Sequence, residues 1–323
     1  MKKFRLWSLA FICMCSPLLA STDPIATQNR NALVRLNGLP SAERAELLAA
    51  DKHSYKLGAE LTSQFVGESN ASEQLLLDGE TAAVIIDWRY GLSDQWELGI
   101  TVPVLSQGGG FLDGFVEGWH STFNLPDGNR DTQPRNQLLY SLQNGQQNVN
   151  FSDANTGVGD IAVQLRTALY KHSEHTVSAF MRVELPTGKA EDFTGSNSTD
   201  IALGANYSNK QCLGKAYCHA SAGVLWFGNT EVYSSASRSS SLFGSATIAV
   251  GLWRSIVGKL QLDTHQALYN SNTEALGDQA FQLSFGIALP LGDKWDIDIA
   301  MSEDISPNTA PDFTFVTSLA YRP

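Results

Sequence analysis

Along most of the chain, hydrophobic and polar residues change places at every step. Between Gly157 and Tyr170, Ile161, Val163, Leu165, Thr167 and Leu169 fall on one side, with Asp160, Ala162, Gln164, Arg166 and Ala168 on the other. Phe281, Leu283, Phe285, Ile287 and Leu289 oppose Gln282, Ser284, Gly286 and Ala288. Trp295, Ile297, Ile299 and Met301 oppose Asp296, Asp298 and Ser302. A period of two marks a strand with unlike faces. Twelve such segments are predicted, near 54–65, 79–91, 95–104, 157–170, 175–185, 199–209, 216–228, 241–253, 258–269, 278–290, 294–303 and 311–322. Most exceed the roughly 5–6 residues of a soluble strand and suit a tilted strand crossing a bilayer.

The connections alternate in length. Residues 66–78, 105–156, 186–198 and 229–240 are long, whereas 92–94, 171–174, 210–215, 254–257 and 291–293 are short. Short turns on the periplasmic side and longer loops outside are the pattern of an outer-membrane barrel with an even strand number. Aromatic residues gather at segment ends: Tyr55, Phe65, Trp88, Tyr90, Trp96, Tyr170, Tyr207, Trp226, Phe227, Trp253, Tyr269, Trp295 and Tyr321. Interfacial girdles look like this. The fold predicted is therefore all-β: an antiparallel transmembrane outer-membrane β-barrel of about twelve strands over 54–323. A soluble β-sandwich also alternates, but spaces its turns more evenly.

Residues 1–20 read as an export signal: Lys2, Lys3 and Arg5, then an apolar run from Leu6 to Cys15, then Ser16-Pro17 and cleavage after Ala20. Residues 21–53 are expected in the periplasm or facing the lumen inside the barrel mouth, with a short helix over 40–48 that has Pro40 in its first turn. Without the signal, 19 Lys and Arg face 33 Asp and Glu. So acidic a chain is not built for nucleic acid. Cys212 and Cys218 flank a tight turn and are expected to pair in an oxidising compartment. Only His219 stands beside them, so neither a metal site nor a cofactor is predicted.

One stretch breaks the period. In residues 108–126, three glycines precede Phe111, Leu112, Phe115, Val116, Trp119 and Phe123 at helical spacing, with Asp113, Glu117 and His120 on the other side. Those three polar residues are either a solvated face or an acid–imidazole site. So many aromatic residues need a covering surface. The helix could plug the lumen, cap the mouth or rest on the outer face of the barrel; folding over or into the barrel is the favoured placement. Gly108–Gly110 and Leu125-Pro126-Asp127-Gly128 would be its hinges, and the polar residues 129–156 a mobile remainder. In that arrangement Phe111, Asp113, Phe115, Glu117, Trp119 and His120 are the gate and ligand residues.

The faces opposite the apolar ones carry Lys56, Glu60, Asp87, Arg89, Glu97, Asp160, Arg166, Arg182, Glu184, Asp200, Lys259, Asp263, His265, Asp296 and Asp298. They read as a self-neutralising filling or as the lining of a polar pathway. His219 and Ser221, two residues apart on one strand face, admit an enzyme alternative, since some outer-membrane lipid hydrolases present such a pair toward lipid.

Several short stretches together carry a family likeness: Asp78-Gly79-Glu80-Thr81, Arg89-Tyr90-Gly91-Leu92-Ser93, Gly110-Phe111-Leu112-Asp113-Gly114-Phe115, Gly118-Trp119-His120, Leu125-Pro126-Asp127-Gly128, Gly159-Asp160, Leu185-Pro186-Thr187-Gly188, Gly195-Ser196 and Thr199-Asp200. The chain resembles, over nearly its whole mature length, the proteobacterial family catalogued as domain of unknown function 3187. The Leu-Pro-Thr-Gly element also resembles barrels encoded beside phenol-degradation pathways. The family resemblance implies an outer-membrane location and names no activity, ligand or catalytic residue. The expectation is gated passage of a small aromatic or amphipathic molecule rather than catalysis, with a filled structural or surface-interaction barrel as the other alternative. The expected partners are outer-membrane lipid, periplasmic chaperones, the barrel-assembly machinery and a small-molecule ligand.

Overall fold

A computed structural model describes residues 20–123, 130, 133–228, 230–253, 255–306 and 308–321. The leader up to residue 19, the Phe123 side chain and Leu125-Pro126-Asp127-Gly128 lie outside the described residues. Twelve long strands make the wall: β1 (His53–Ser69), β2 (Gln74–Ser93), β3 (Trp96–Gly108), β7 (Ile161–His172), β8 (His175–Leu185), β9 (Asp200–Asn209), β10 (Tyr217–Trp226), β11 (Ser240–Trp253), β12 (Ile256–His265), β13 (Ala280–Leu291), β14 (Trp295–Asp304) and β15 (Phe313–Tyr321). Each pairs antiparallel with its neighbours, and β15 returns to β1 through Lys56↔Ala320 to Ser63↔Phe313, so the sheet closes. Closure leaves no exposed edge, which is what lets strands sit in lipid.

The side-chain partition is the reverse of a soluble protein's. Leu57 (51% exposed), Val84, Ile86, Leu203, Leu260 and Ile287 point outward. Glu97, Gln164, Arg166, Asp200, Lys259, Gln261, Asp296 and Asp298 are buried, facing inward. At the short-turn end, rings form a belt: Trp88 stacks beside Tyr90, Tyr55 meets Tyr321, and Trp295 meets Tyr321 edge-on. Apolar side chains out, charges in and a ring belt at one rim are the features of a membrane barrel.

Three expectations differ from what is found. The strand expected over 157–170 is broken, with β6 (Asn155–Val158) and β7 separated at Gly159–Asp160. There Ile161 N donates to Thr187 Oγ1 and Gly159 N to the Pro103 carbonyl, while Asp160 turns inward to the Gly188 and Ser196 amides. The supposedly mobile residues 129–156 contain a hairpin, β4 (Leu139–Gln143) and β5 (Asn148–Phe151), laid on the outer extension of β2. Its apolar positions, Tyr140, Leu142 and Phe151, are buried; two strands this short carry too little alternation to stand out from a polar loop.

The third difference is the helix expected over 40–48, which is absent; those residues are irregular, and one 3-10 turn stands upstream at Val34–Leu36. Residues 20–52 enter the lumen at the short-turn end, where Ala20 N donates to the Ser255 carbonyl. They climb to the long-loop end, where Asn29 contacts His265 and Asn37 contacts Tyr269. They then descend past Ser208 and Glu97 to join β1. The backbone amides bond to wall side chains in place of helix carbonyls: Ile25 to Gln261, Ala32 to Gln64, Gly38 to Asp200, Ala45 to Ser208 and Leu48 to Glu97. A buried amide left unpaired costs about 1–3 kcal/mol, so these partners are what permit a non-helical path.

Candidate functional site: the lumen and its inner segment

The lumen has three levels. At the long-loop end an apolar cluster closes it: Leu33 and Leu36 from the inner segment meet Tyr140, Phe151, Phe193, Tyr233 and Tyr269 from the wall extensions and loops. The rings of Phe151 and Phe193 lie 4.7 Å apart, and those of Tyr140 and Phe151 5.8 Å. Each fully buried leucine contributes about 1.5–3 kcal/mol to such a seal.

Beneath the seal lies a cavity of about 110 Å³, lined by residues of the inner segment and of β1, β2, β3 and β8. A larger vestibule of about 320 Å³ opens at the short-turn end. The two share Glu43, Lys56, Asp87 and Arg89 in their walls, so a charged constriction separates them. Its centre is Arg89, which binds Glu43 at 2.6 Å, Asp87 at 2.9 Å and Glu97 at 3.4 Å. Arg166 binds Glu97 at 2.7 Å and Glu43 at 3.4 Å, and also the Arg44 carbonyl. Glu43 belongs to the inner segment rather than the wall. Burial alone would raise its carboxyl, but the Arg89 and Arg166 guanidiniums outweigh burial and hold it down at about 2. Higher up, Arg30 of the inner segment pairs with Glu60 of β1. Elsewhere Lys259 binds Asp298 at 2.6 Å.

Every charged lumen residue named from the sequence does face inward, but they do not act as one group. Glu60, Arg89 and Arg166 hold the inner segment. Asp160 and Asp200 tie loops and inner segment through backbone amides. Asp263 accepts from Gln261 beside a pocket of about 20 Å³. Arg182 and Glu184 face the cavity under the seal.

The aromatic helix is elsewhere. Helix α1 (Asp113–Phe123) lies on the outside of the wall. Leu112 and Val116 pack on Phe313, Leu61 and Met301, which are outward positions of β15, β1 and β14, and the Phe115 ring meets Phe313 edge-on. Placement over or into the mouth is therefore corrected: Phe111, Phe115, Trp119, Asp113, Glu117 and His120 go with the helix to the outer face. Lipid-side positions offer aromatic side chains an apolar surface that the charged lumen does not. Phe111 (71% exposed) and Phe115 remain on the outer side of the helix. Asp113 and Glu117 take different guanidiniums, Arg130 and Arg135, and His120 is buried. The glycines before the helix are needed for close approach: Gly110 has φ +70°, and a Cβ there would collide with the Glu80 carboxyl that accepts the Phe111 and Leu112 amides.

His219 and Ser221 face the lumen, not lipid. His219 Nδ1 meets Ser208 at 2.8 Å and its Nε2 the Thr22 carbonyl at 2.9 Å, while Ser221 donates to Asn206 at 2.7 Å. Base and nucleophile have separate partners. Cys212 and Cys218 are joined across the β9–β10 turn. The inner segment was expected either in the periplasm or facing the lumen; what sequence reasoning missed is that its own residues, such as Arg30 and Glu43, form part of the site. Its signal was a run of Asn29, Asn31 and Asn37 around Leu33 and Leu36, which follows neither period.

These features define a class: a twelve-stranded outer-membrane barrel whose lumen is occupied by its own N-terminal segment. The chain belongs to the family described as protein of unknown function, DUF3187, whose profile matches residues 3–322. No curated protein matches it. Among solved structures it resembles the COG4313 outer membrane channel from Pseudomonas putida F1, at 13% identity and a TM-score of 0.54, with 86% of this chain and 96% of that one covered. That likeness shows the fold. Looser likenesses are to a Pseudomonas aeruginosa FadL homologue, at 10% identity, TM-score 0.40 and coverage of 84% and 90%, and to the beta domain of the Bordetella autotransporter Brka, at 9% identity, TM-score 0.45 and coverage of 84% and 100%.

Proposed function

We propose that this barrel is a gated passage for a small aromatic or amphipathic molecule across the outer membrane, and that its gate is the inner segment 20–52 rather than helix α1. The chain reaches its place through a signal cleaved after Ala20, then periplasmic chaperones and the barrel-assembly machinery. The observation that carries the reading is the stacked arrangement of vestibule, Glu43–Arg89 constriction and cavity, with the inner segment on one side of all three. That segment is held by ion pairs and side-chain-to-backbone hydrogen bonds, which can exchange for water one at a time.

The test is conductance in planar bilayers of the mature protein, of Glu43→Gln, and of a form with residues 108–126 deleted. Opening is expected in Glu43→Gln and not in the deletion. A second reading, a filled barrel with a structural or surface-interaction role, draws support from the apolar seal. Silence from the mature protein, from Glu43→Gln and from a Leu33→Asp seal variant would leave that reading in place and end the passage proposal. The lipid-hydrolase alternative requires His219 and Ser221 to abandon their present partners; lipid cleavage abolished by Ser221→Ala would restore it.

A further inference from the structure

The cations and acids that line the cavity beneath the seal are equal in number but unequally paired. Among its acids, Glu60 is held by Arg30, Glu43 and Asp87 by Arg89, and Asp160 by backbone amides. Three cations and one acid remain. Arg35 is only 8% exposed; it bonds to the Gln107 side chain at 2.6 Å and lies against the Tyr140 hydroxyl, while its Nε and Nη1 have no partner among the described residues. Arg182 gives one hydrogen bond, to Thr101 at 3.4 Å, and its Nε likewise has no partner among the described residues. Lys56 has no carboxylate within ion-pair range among the described residues, and neither does Glu184 have a cation. The guanidinium N–H groups left without an acceptor therefore face one enclosed space, the other side of which is apolar: Ile85, Pro103, Leu105 and Val316.

We propose that this cavity is a binding subsite for a small amphipathic carboxylate, its carboxylate held by the Arg35 and Arg182 guanidiniums and its hydrocarbon part lying on the apolar side. Planar guanidiniums with free N–H groups match a carboxylate, and the pairing is strongest where water is scarce. A neutral ligand would leave Arg35 buried without a counter-charge, a costly state. Size restricts the class further. A cavity of about 150 Å³ accommodates benzene, so 110 Å³ suits a ligand of about six heavy atoms. The way in is from the vestibule, past Glu43 and Arg89. The proposal deepens the passage reading and rests on it for the ligand's route, while binding itself is measurable without transport.

The test uses the refolded mature protein in detergent micelles and ligand-observed NMR, with butanoate as probe and butanamide as its neutral isostere. Butanoate is expected to bind at least about tenfold more tightly than butanamide, the least that a charge-assisted pair supplies. Arg182→Gln should lose about tenfold in butanoate affinity, and Arg182→Lys less, while both keep the heat-modifiable electrophoretic mobility of a folded barrel. Equal affinity for acid and amide would overturn the proposal, as would failure of either to bind or an Arg182→Gln variant that binds like the parent. If butanoate fails to bind while Glu43→Gln conducts, the subsite is refuted and the passage reading survives. If butanoate binds while every form is electrically silent, the subsite stands and the passage reading falls.

Discussion

Two segments of this chain are not part of the wall, and they lie on opposite sides of it. Residues 20–52 run through the lumen with one 3-10 turn at Val34–Leu36; Asp113–Phe123 form a helix against the outer face. The inner segment presents Asn, Arg and Glu side chains and open backbone amides, which the inward face meets with Gln64, Glu97, Asp200, Ser208 and Gln261. The outer segment satisfies its own backbone in a helix and presents Leu112, Phe115 and Val116, which the outward face meets with Leu61, Met301 and Phe313. The lesson is that strand parity sorts the appended segments as well as the wall residues. A segment goes to the face whose chemistry completes it. On the reading proposed above, the polar, irregular segment controls the lumen and the aromatic helix does not.

The strongest way to break this contrast is Glu97→Ala. Glu97 is buried between Arg89 and Arg166 and also accepts the Leu48 amide, so its loss removes the carboxylate that two buried guanidiniums share and leaves that amide without its acceptor. A cost of about 3–5 kcal/mol is expected, seen as a lower unfolding temperature in micelles and faster amide exchange over residues 43–50. Unchanged exchange there would mean that the inner segment is not held by this pair. Next comes Leu33→Ala at the seal, on the order of 3 kcal/mol for a fully buried leucine. It should loosen exchange over residues 30–39 and raise conductance, and equal protection in parent and variant would count against the seal.

Acid should act on the same hinge. Because Glu43 titrates at about 2 in the folded protein against an ordinary 4.5, its pairing stabilises fully above pH 4.5 and that contribution is lost as pH falls toward 2. The stability difference between parent and Glu43→Gln should therefore shrink across that window; a constant difference would contradict the pairing. The smallest effect belongs to the outside. Phe111→Ser should alter micellar stability by no more than about 0.5 kcal/mol and leave conductance alone, as befits an exposed residue. A rise in conductance would return the helix to a gating role.

Much of the wall was legible because parity is a local property. The alternation in 281–289 and 295–302, the short turns at 92–94 and 291–293, and the ring belt of Tyr55, Trp88 and Trp295 needed no partner to be read. The inward direction of Glu60, Arg89, Asp160, Arg166, Arg182, Glu184 and Asp263 followed from the same parity. The helix over 40–48 failed because Ala45 and Leu48 found wall acceptors that no local pattern discloses. The position of α1 failed because helical spacing reveals an apolar face without saying what covers it.

The sequence by itself determined the strands, their two faces and the existence of one aromatic helix, since each depends on neighbours within a turn or a strand. Only the tertiary structure decided that residues 20–52 fill the lumen, that Glu43 lies between the guanidiniums of Arg89 and Arg166, and that α1 stands outside. Those outcomes depend on groups 46 to 236 positions apart, such as Glu43 with Arg89 and Ile25 with Gln261. Such contacts exist only once the barrel has closed and given the chain an inside.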